Sequence, residues 1–234
     1  MTVKLFQRVI GDSVGLKAED LENYAELLKL SGFSVSGGRA LGVEAFNRIE
    51  EELKMSEMTL IAPDWMNKLN RWLVGGMEKG APYILRSSAL SDRGGNGIYE
   101  SLVFVPIGQE ADVEQIWQLE RQIYEGEFHQ SAIQWREKEN LPVGMAIPIQ
   151  KLIGNTHGNL FYPALSGTAF TSWLGKPTVN VVFGLGGGVK DRSAQFTEKI
   201  DLDTFLLKMA NQERIQVVDM DKGAWTSIEI EKAD

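Results

Sequence analysis

The spacing of the apolar residues changes partway along the chain, and that change limits the fold more than any single motif does. From Ala18 to Leu30, the residues Leu21, Tyr24, Ala25, Leu27 and Leu28 recur at helical intervals. Asp20 and Glu22 come early, where a helix dipole favours anions, and Ser31-Gly32 ends the run. Phe33 to Ser36 alternates briefly before Gly37-Gly38 breaks it. The spacing predicts a second helix from Val43 to Lys54, with Phe46, Ile49 and Leu53 on one face. A third helix opens at Pro63 and stops at Gly75-Gly76.

Pro82 to Leu85 and Tyr99 to Ile107 then read as strands, and Asp112 to Trp135 as a polar helix. Beyond Gly144 the pattern is mainly of strands: Gly144–Ile153, Asn159–Tyr162, Gly167–Thr171 and Thr178–Phe183. Leu202 to Met209 is predicted as a short helix. Ile215–Val218 and Thr226–Ile230 form a predicted hairpin turning at Asp221-Lys222-Gly223. Helices first and mostly antiparallel strands afterwards predict an α+β fold. With no repeat or linker, one domain over residues 1–234 is expected, with a helical insertion at about 110–140 and a C-terminal hairpin over 215–231.

Composition removes several function classes. The 234 residues carry 24 Lys+Arg against 32 Asp+Glu, a formal charge of −8, and no dense basic cluster. That argues against nucleic acid and against an anionic membrane surface. No stretch approaches the ~18 apolar residues of a membrane span. The first ten residues lack the apolar core of a signal peptide, so a soluble cytoplasmic protein is expected. The absence of cysteine excludes disulfides, thiolate metal sites and a thiol nucleophile. His129 and His157 are far apart with no ligand spacing, and no Gly-x-Ser-x-Gly motif is present. Both histidines are expected at the surface, His157 in the turn Gly154 to Gly158.

Two loops remain as places for chemistry. Arg86-Ser87-Ser88 follows a strand, and backbone N–H groups beside a guanidinium are a common way to hold a phosphate. A polar turn with a surface arginine is the alternative reading of the same residues. The glycine cluster Gly184-Leu-Gly-Gly-Gly188 follows another strand. It fits neither phosphate-loop fingerprint, because Gly188 is followed by Val189-Lys190-Asp191.

Taken in order, these blocks resemble a known family. Ile84-Leu-Arg-Ser-Ser-Ala-Leu-Ser-Asp92 and Gly97-Ile-Tyr-Glu-Ser-Leu-Val-Phe-Val105 are similar to signature blocks of the ATP-binding domain of phosphoenolpyruvate synthase and pyruvate phosphate dikinase, an ATP-grasp relative. Trp135-Arg136, Ala146-Ile-Pro-Ile-Gln150, Ser166-Gly-Thr-Ala-Phe-Thr171 and Val182-Phe-Gly-Leu-Gly-Gly-Gly-Val189 resemble later blocks of that family. Gly15-Leu-Lys17, with Leu27-Leu and Gly32 to Val35, resembles its opening.

The resemblance implies an ATP-grasp-like nucleotide-binding domain with a shortened C-terminal lobe. It also implies ATP and Mg2+ as cofactors, and a kinase-type transfer of phosphate from ATP to a histidine on a separate domain. Lys17 would neutralise nucleotide phosphate and Arg86 would grip the transferred group, with Ser87 and Ser88 in the loop beneath it. Glu100 would be the acidic residue of its block and Gln150 the strand glutamine near the nucleotide. Gly184 and Gly186 would approach the nucleotide with bare backbone.

The chain also departs from the pattern. Arg93 and Gly187 stand where the family has acids, and the proline after its Phe-Thr is missing. In the closing hairpin, aligned on Gly223, Val217, Glu229 and Glu231 replace the family's Glu, Gln and Arg. Glu229, expected opposite Gln216 across a two-residue turn, is the remaining candidate metal ligand. These changes leave a second reading, a degenerate member that binds nucleotide or protein without turnover.

Overall fold

A computed structural model describes residues 4–32, 34–54, 61–91, 98–173, 176–185, 194–196 and 212–229. They form a mixed α+β architecture in which antiparallel pairings predominate. The expected single domain divides into two compact units, Met1–Leu152 and Ile153–Asp234. No helix among the described residues is long and apolar enough to cross a membrane.

In the first unit, β1 (Phe6–Ile10) leads through α1 (Gly15–Leu30) to β2 (Gly38–Leu41), which lies parallel to β1. Then follow α2 (Val43–Lys54), α3 (Asp64–Gly75), β3 (Tyr83–Arg86), β4 (Ser88–Ala89) and β5 (Ser101–Phe104). The unit closes with α4 (Ala111–Glu125), a 3-10 turn (Gly126–Phe128), α5 (Gln130–Glu139) and β6 (Met145–Lys151). The sheet order is β1-β2-β6-β3-β5, with β4 also paired to β6.

Strand alternation separates two cores. Leu41, Leu85, Ile147 and Ile149 point into a large cluster with Phe46 and Ile49 of α2, Met66 and Leu73 of α3, and Ile116 and Tyr124 of α4. Ala40 turns the other way, toward Phe6, Val14 and Ala18 at the start of α1. One sheet face therefore carries α2, α3 and α4, and the other carries α1.

The predicted helices at α2 and α3 and the strands at β3, β5 and β6 are present. Strands β1 and β2 correct the expectation of helices first. Arg8 hides β1, because it points inward to a buried carboxylate and so spoils the alternation of apolar residues. Gly38, read as a breaker, lies inside β2, where an added Cβ would come within 2.1 Å of the Ile149 carbonyl oxygen. The glycine permits a close strand approach there. The single helix expected over Asp112 to Trp135 is interrupted at Gly126–Phe128, and His129 caps α5 in extended conformation.

Strand β6 is central, and it contains a proline. The Leu152 N–H donates to the Pro82 carbonyl at 2.9 Å, and the Leu90 N–H to that of Gly144 at 2.8 Å. Even-numbered residues of β6 therefore turn their backbone groups toward β3 and β4. Leu85 pairs with Ile149 and Ser88 with Ala146, which places Pro148 opposite Arg86. Proline has no N–H to give, so the ladder is interrupted where β3 passes into β4.

The second unit holds β7 (Asn155–His157), β8 (Leu160–Tyr162), β9 (Leu165–Trp173), β10 (Lys176–Phe183), β11 (Ala194–Phe196), β12 (Arg214–Asp219) and β13 (Ala224–Glu229). They make two sheets, β11-β10-β9 and β13-β12-β8-β7. His157 was expected in a turn but lies in β7, exposed and stacked on Tyr162 at 4.6 Å. The predicted helix over 202–209 lies outside the described residues. In the hairpin turn, Asp219 Oδ1 accepts from the N–H groups of Asp221 and Lys222, both at 3.2 Å.

Two buried carboxylates in the first unit behave oppositely. Glu22 of α1 accepts from the Leu5 and Phe6 amides at 2.8 and 3.0 Å and pairs with Arg8 through both oxygens. Burial pushes its acidity range up, but the Arg8 hydrogen bond and the two amides outweigh that, and its pKa is lowered. Glu120 of α4 is fully buried and accepts only from Asn70 Nδ2 at 2.9 Å, so burial pushes its pKa up to about 8.

Two stability effects are expected. Glu22→Ala orphans a largely buried guanidinium and two amides, and urea titration should show a loss of ~3–5 kcal/mol. Because the Glu22 pKa is depressed on folding, its contribution is present above the unfolded value and lost as pH falls through the folded one. Glu120→Gln should act in the other direction. The native acid keeps its full contribution below the unfolded pKa and loses it up to about pH 8. The variant should therefore be more stable by ~3 kcal/mol at pH 7 and indistinguishable from the native chain near pH 4. Parallel pH–stability curves for the two proteins would refute this.

Candidate functional site

The candidate residues of the first unit gather around one short piece of chain, the passage from β3 into β4. Leu85 points into the helix-side core, so alternation turns Ile84 and Arg86 to the face that carries α1. Arg86 is exposed at the end of β3. The next carbonyl, that of Ser87, accepts from Lys17 Nζ at 3.3 Å. Gln150 lies on the same face, registered opposite Ile84, and is largely buried. Its Nε2 donates to the Ser36 carbonyl at 2.8 Å.

The two serines hold the passage in place. Both are fully buried. Ser88 Oγ accepts from the Ala18 N–H in the first turn of α1 at 3.2 Å and so ties the helix to the passage. Gly15 makes this docking possible. Its φ is +73°, and a Cβ there would stand 1.8 Å from the Ser88 carbonyl oxygen. The hydroxyl of Ser87 points into the interior, so the serines lie beneath the surface and the exposed positive charge is that of Arg86.

Glu100 follows a different course. Arg86 pairs with Ser101, and one step further the register sets Glu100 across from Ser87. Its carboxylate is exposed and accepts from Gln122 Nε2 of α4 at 3.0 Å. The structure thus brings Lys17, Arg86, Ser87 and Ser88 into one place, with Gln150 two positions away and Glu100 at the margin turned to α4.

In the second unit, Gly184 has a φ of +76°, and a Cβ on it would lie 2.6 Å from the Gln216 carbonyl oxygen. It forms a bridge to Gln216, and its carbonyl accepts from Ser166 Oγ at 2.7 Å. That accounts for the glycine by close packing of two segments. Gly186 lies outside the described residues. The position of Glu229 corrects the expectation: it pairs with Arg214, while Gln216 pairs with Ser227. The turn between Asp219 and Ala224 is longer than two residues, which shifts the register. Glu229 is exposed beside the Arg214 guanidinium, 3.6 Å away. Among the described residues no group of three or more His, Asp or Glu is placed to hold a metal ion. The implied Mg2+ does not fit the carboxylates described.

Chemically, the passage carries the Arg86 guanidinium and, bonded to the next carbonyl, the Lys17 ammonium, on a frame built from buried side chains. Two cations so placed suit an anion with several oxygens. Sequence reasoning missed three parts of it: Gly15 as a contact point, Pro148 as the cause of the ladder gap, and the side chains that hold Ser91. A proline inside a predicted central strand was the visible signal for the second.

Ser88→Ala removes the hydroxyl that α1 docks on. Chemical denaturation should show a loss of ~0.5–1.5 kcal/mol. An unchanged midpoint would mean that α1 is positioned by other contacts.

The chain matches no model of a known protein family, and no curated protein is significantly similar to it.

Proposed function

We propose that the first unit binds the phosphates of ATP, as the nucleotide-binding part of an ATP-grasp-like phosphotransferase of the phosphoenolpyruvate synthase and pyruvate phosphate dikinase kind. Lys17 and Arg86 supply the positive charge, Ser87 and Ser88 the support, and Gln150 flanks the nucleotide. The activity is phosphoryl transfer from ATP to a histidine of a separate domain. Phosphoryl transfer asks the protein mainly for positioning and charge neutralisation, which suits a site without a protein nucleophile. One observation carries the reading. Lys17 and Arg86 are far apart in sequence, and the Lys17 ammonium is bonded to the carbonyl immediately after Arg86.

A specific observation favours a second reading, a binding module without turnover. Glu229, the remaining candidate for the metal, stands beside a guanidinium instead of other carboxylates. On this reading the chain binds nucleotide or a protein partner and transfers nothing.

Calorimetric titration with ATP, with and without magnesium, tests the first point. Wild type should bind, and Arg86→Ala should lose a charged contact worth ~1.5–3 kcal/mol, roughly a ten- to hundred-fold rise in Kd. Equal affinities in the two proteins would overturn the role of Arg86. Phosphate release, or transfer of label from β-labelled ATP to a histidine-bearing partner, separates a working transferase from a binding module.

A further inference from the structure

The passage from Arg86 to Ser91 is held less by its sheet than its neighbours are, since Pro148 interrupts the ladder opposite Arg86. A second support reaches its far end. The carbonyl of Ser91 accepts from Trp135 Nε1 of α5 at 3.1 Å. Ser91 Oγ and Tyr99 OH share a hydrogen bond of 2.7 Å, and Tyr99 OH donates onward to Glu127 Oε2 at 3.2 Å. Glu127 is also bonded to Arg136 of α5. Ser91 and Glu127 are fully buried, and Tyr99 and Arg136 nearly so.

A buried charge pair is an expensive way to hold two helical segments together, and a hydrophobic pair of similar volume would pack at least as well. Its distinguishing property is direction. A carboxylate fixed by a guanidinium presents a stationary acceptor to Tyr99, and Tyr99 in turn fixes Ser91 in position and rotamer. Trp135 adds an independent bond to the backbone of the same residue. Five residues upstream in the same passage lies Arg86, and between them Ser88 docks α1.

We propose that Tyr99 and Trp135 are positioning residues. With the Glu127–Arg136 pair as anchor, they fix the Ser91 end of the passage and so aim Arg86 and the Ser87 carbonyl that holds Lys17. The inference rests on the reading of that passage as a phosphate site. It assigns to the helical segment between β5 and β6 a role in the affinity of the site beyond its share of the core.

The test uses the whole chain with Tyr99→Phe and Trp135→Phe, each of which removes one hydrogen bond and keeps the ring. Two quantities are read well below the melting temperature: amide hydrogen exchange over residues 85–91 without nucleotide, and the Kd for ATP. Both variants should exchange at least about ten-fold faster over that segment and bind ATP about five-fold or more weakly, with circular dichroism unchanged. Faster exchange with unaltered ATP affinity would reduce the network to a strut and overturn the inference. Unchanged exchange in both variants, with ATP bound by wild type, would overturn it as well and leave the phosphate reading standing. Failure of the wild type to bind ATP would overturn the phosphate reading and the positioning role together.

Discussion

Strand β6 is the element on which the first unit depends, because it is bonded along both edges, to β2 on one side and to β3 and β4 on the other, and sends one face into the large core. Its odd-numbered residues Met145, Ile147 and Ile149 enter the cluster built with α2, α3 and α4. Its even-numbered residues turn to the face of α1, where Gln150 stands in register with Ile84. Its edges receive β2 on one side and β3 with β4 on the other. In such a strand every backbone group has an assigned partner, so one proline has a defined consequence. Pro148 withholds the N–H that would meet Arg86. The candidate site thus lies at an interruption in the ladder between β6 and the β3–β4 passage.

That interruption shifts the burden of placing Arg86 onto side chains. Helix α1 is held at two points along its length. Glu22 grips the amides of Leu5 and Phe6 together with Arg8, and the Ala18 N–H is bonded to Ser88. Lys17 precedes the second of these contacts directly, so its stem starts from a fixed backbone and its ammonium reaches the Ser87 carbonyl. The ion pair of Glu22 and Arg8 is far from Arg86 in sequence and stands five residues along α1 from Lys17. Rigid helical geometry carries the constraint from one to the other.

Legibility in the sequence followed the physics of each element. Helix α2 could be read over Val43 to Glu50 because Val43, Ala45, Phe46 and Ile49 are buried while Asn47 and Arg48 are exposed. Helix α1 could be read only in part, since apolar residues lie on its exposed side too, Leu27 and Leu30 among them. Strands β1 and β2 were illegible for local reasons, an inward arginine in one and a glycine at a close crossing in the other. In the hairpin the positions of β12 and β13 were legible, but the register was not. Register depends on turn length, and the Asp219 side chain stabilises a longer turn than the spacing of apolar residues implied. The candidate site was legible as a set of residue types, and its assembly was not. Nothing in the order of residues announces that Gly15 and Ser88 touch, or that a serine seventy residues away bonds to the first turn of α1.

The character of the site follows from what is buried and what is not. With Ser87 and Ser88 inside the protein, hydroxyl groups are not offered to a ligand, and under the proposed reading recognition falls to Arg86, Lys17 and backbone. Such a set measures charge and oxygen geometry more than shape. The chain as a whole bears a formal charge of −8, so at distances beyond a Debye length the protein does not draw anions in. Affinity must come from short-range contacts, where a guanidinium can take two oxygens at once and a low local dielectric strengthens each bond. Short-range contacts of that kind are lost with small displacements. A site of this design therefore needs its arginine held more firmly than an interrupted ladder alone can hold it, and the buried side chains at both ends of the Arg86–Ser91 passage meet that requirement.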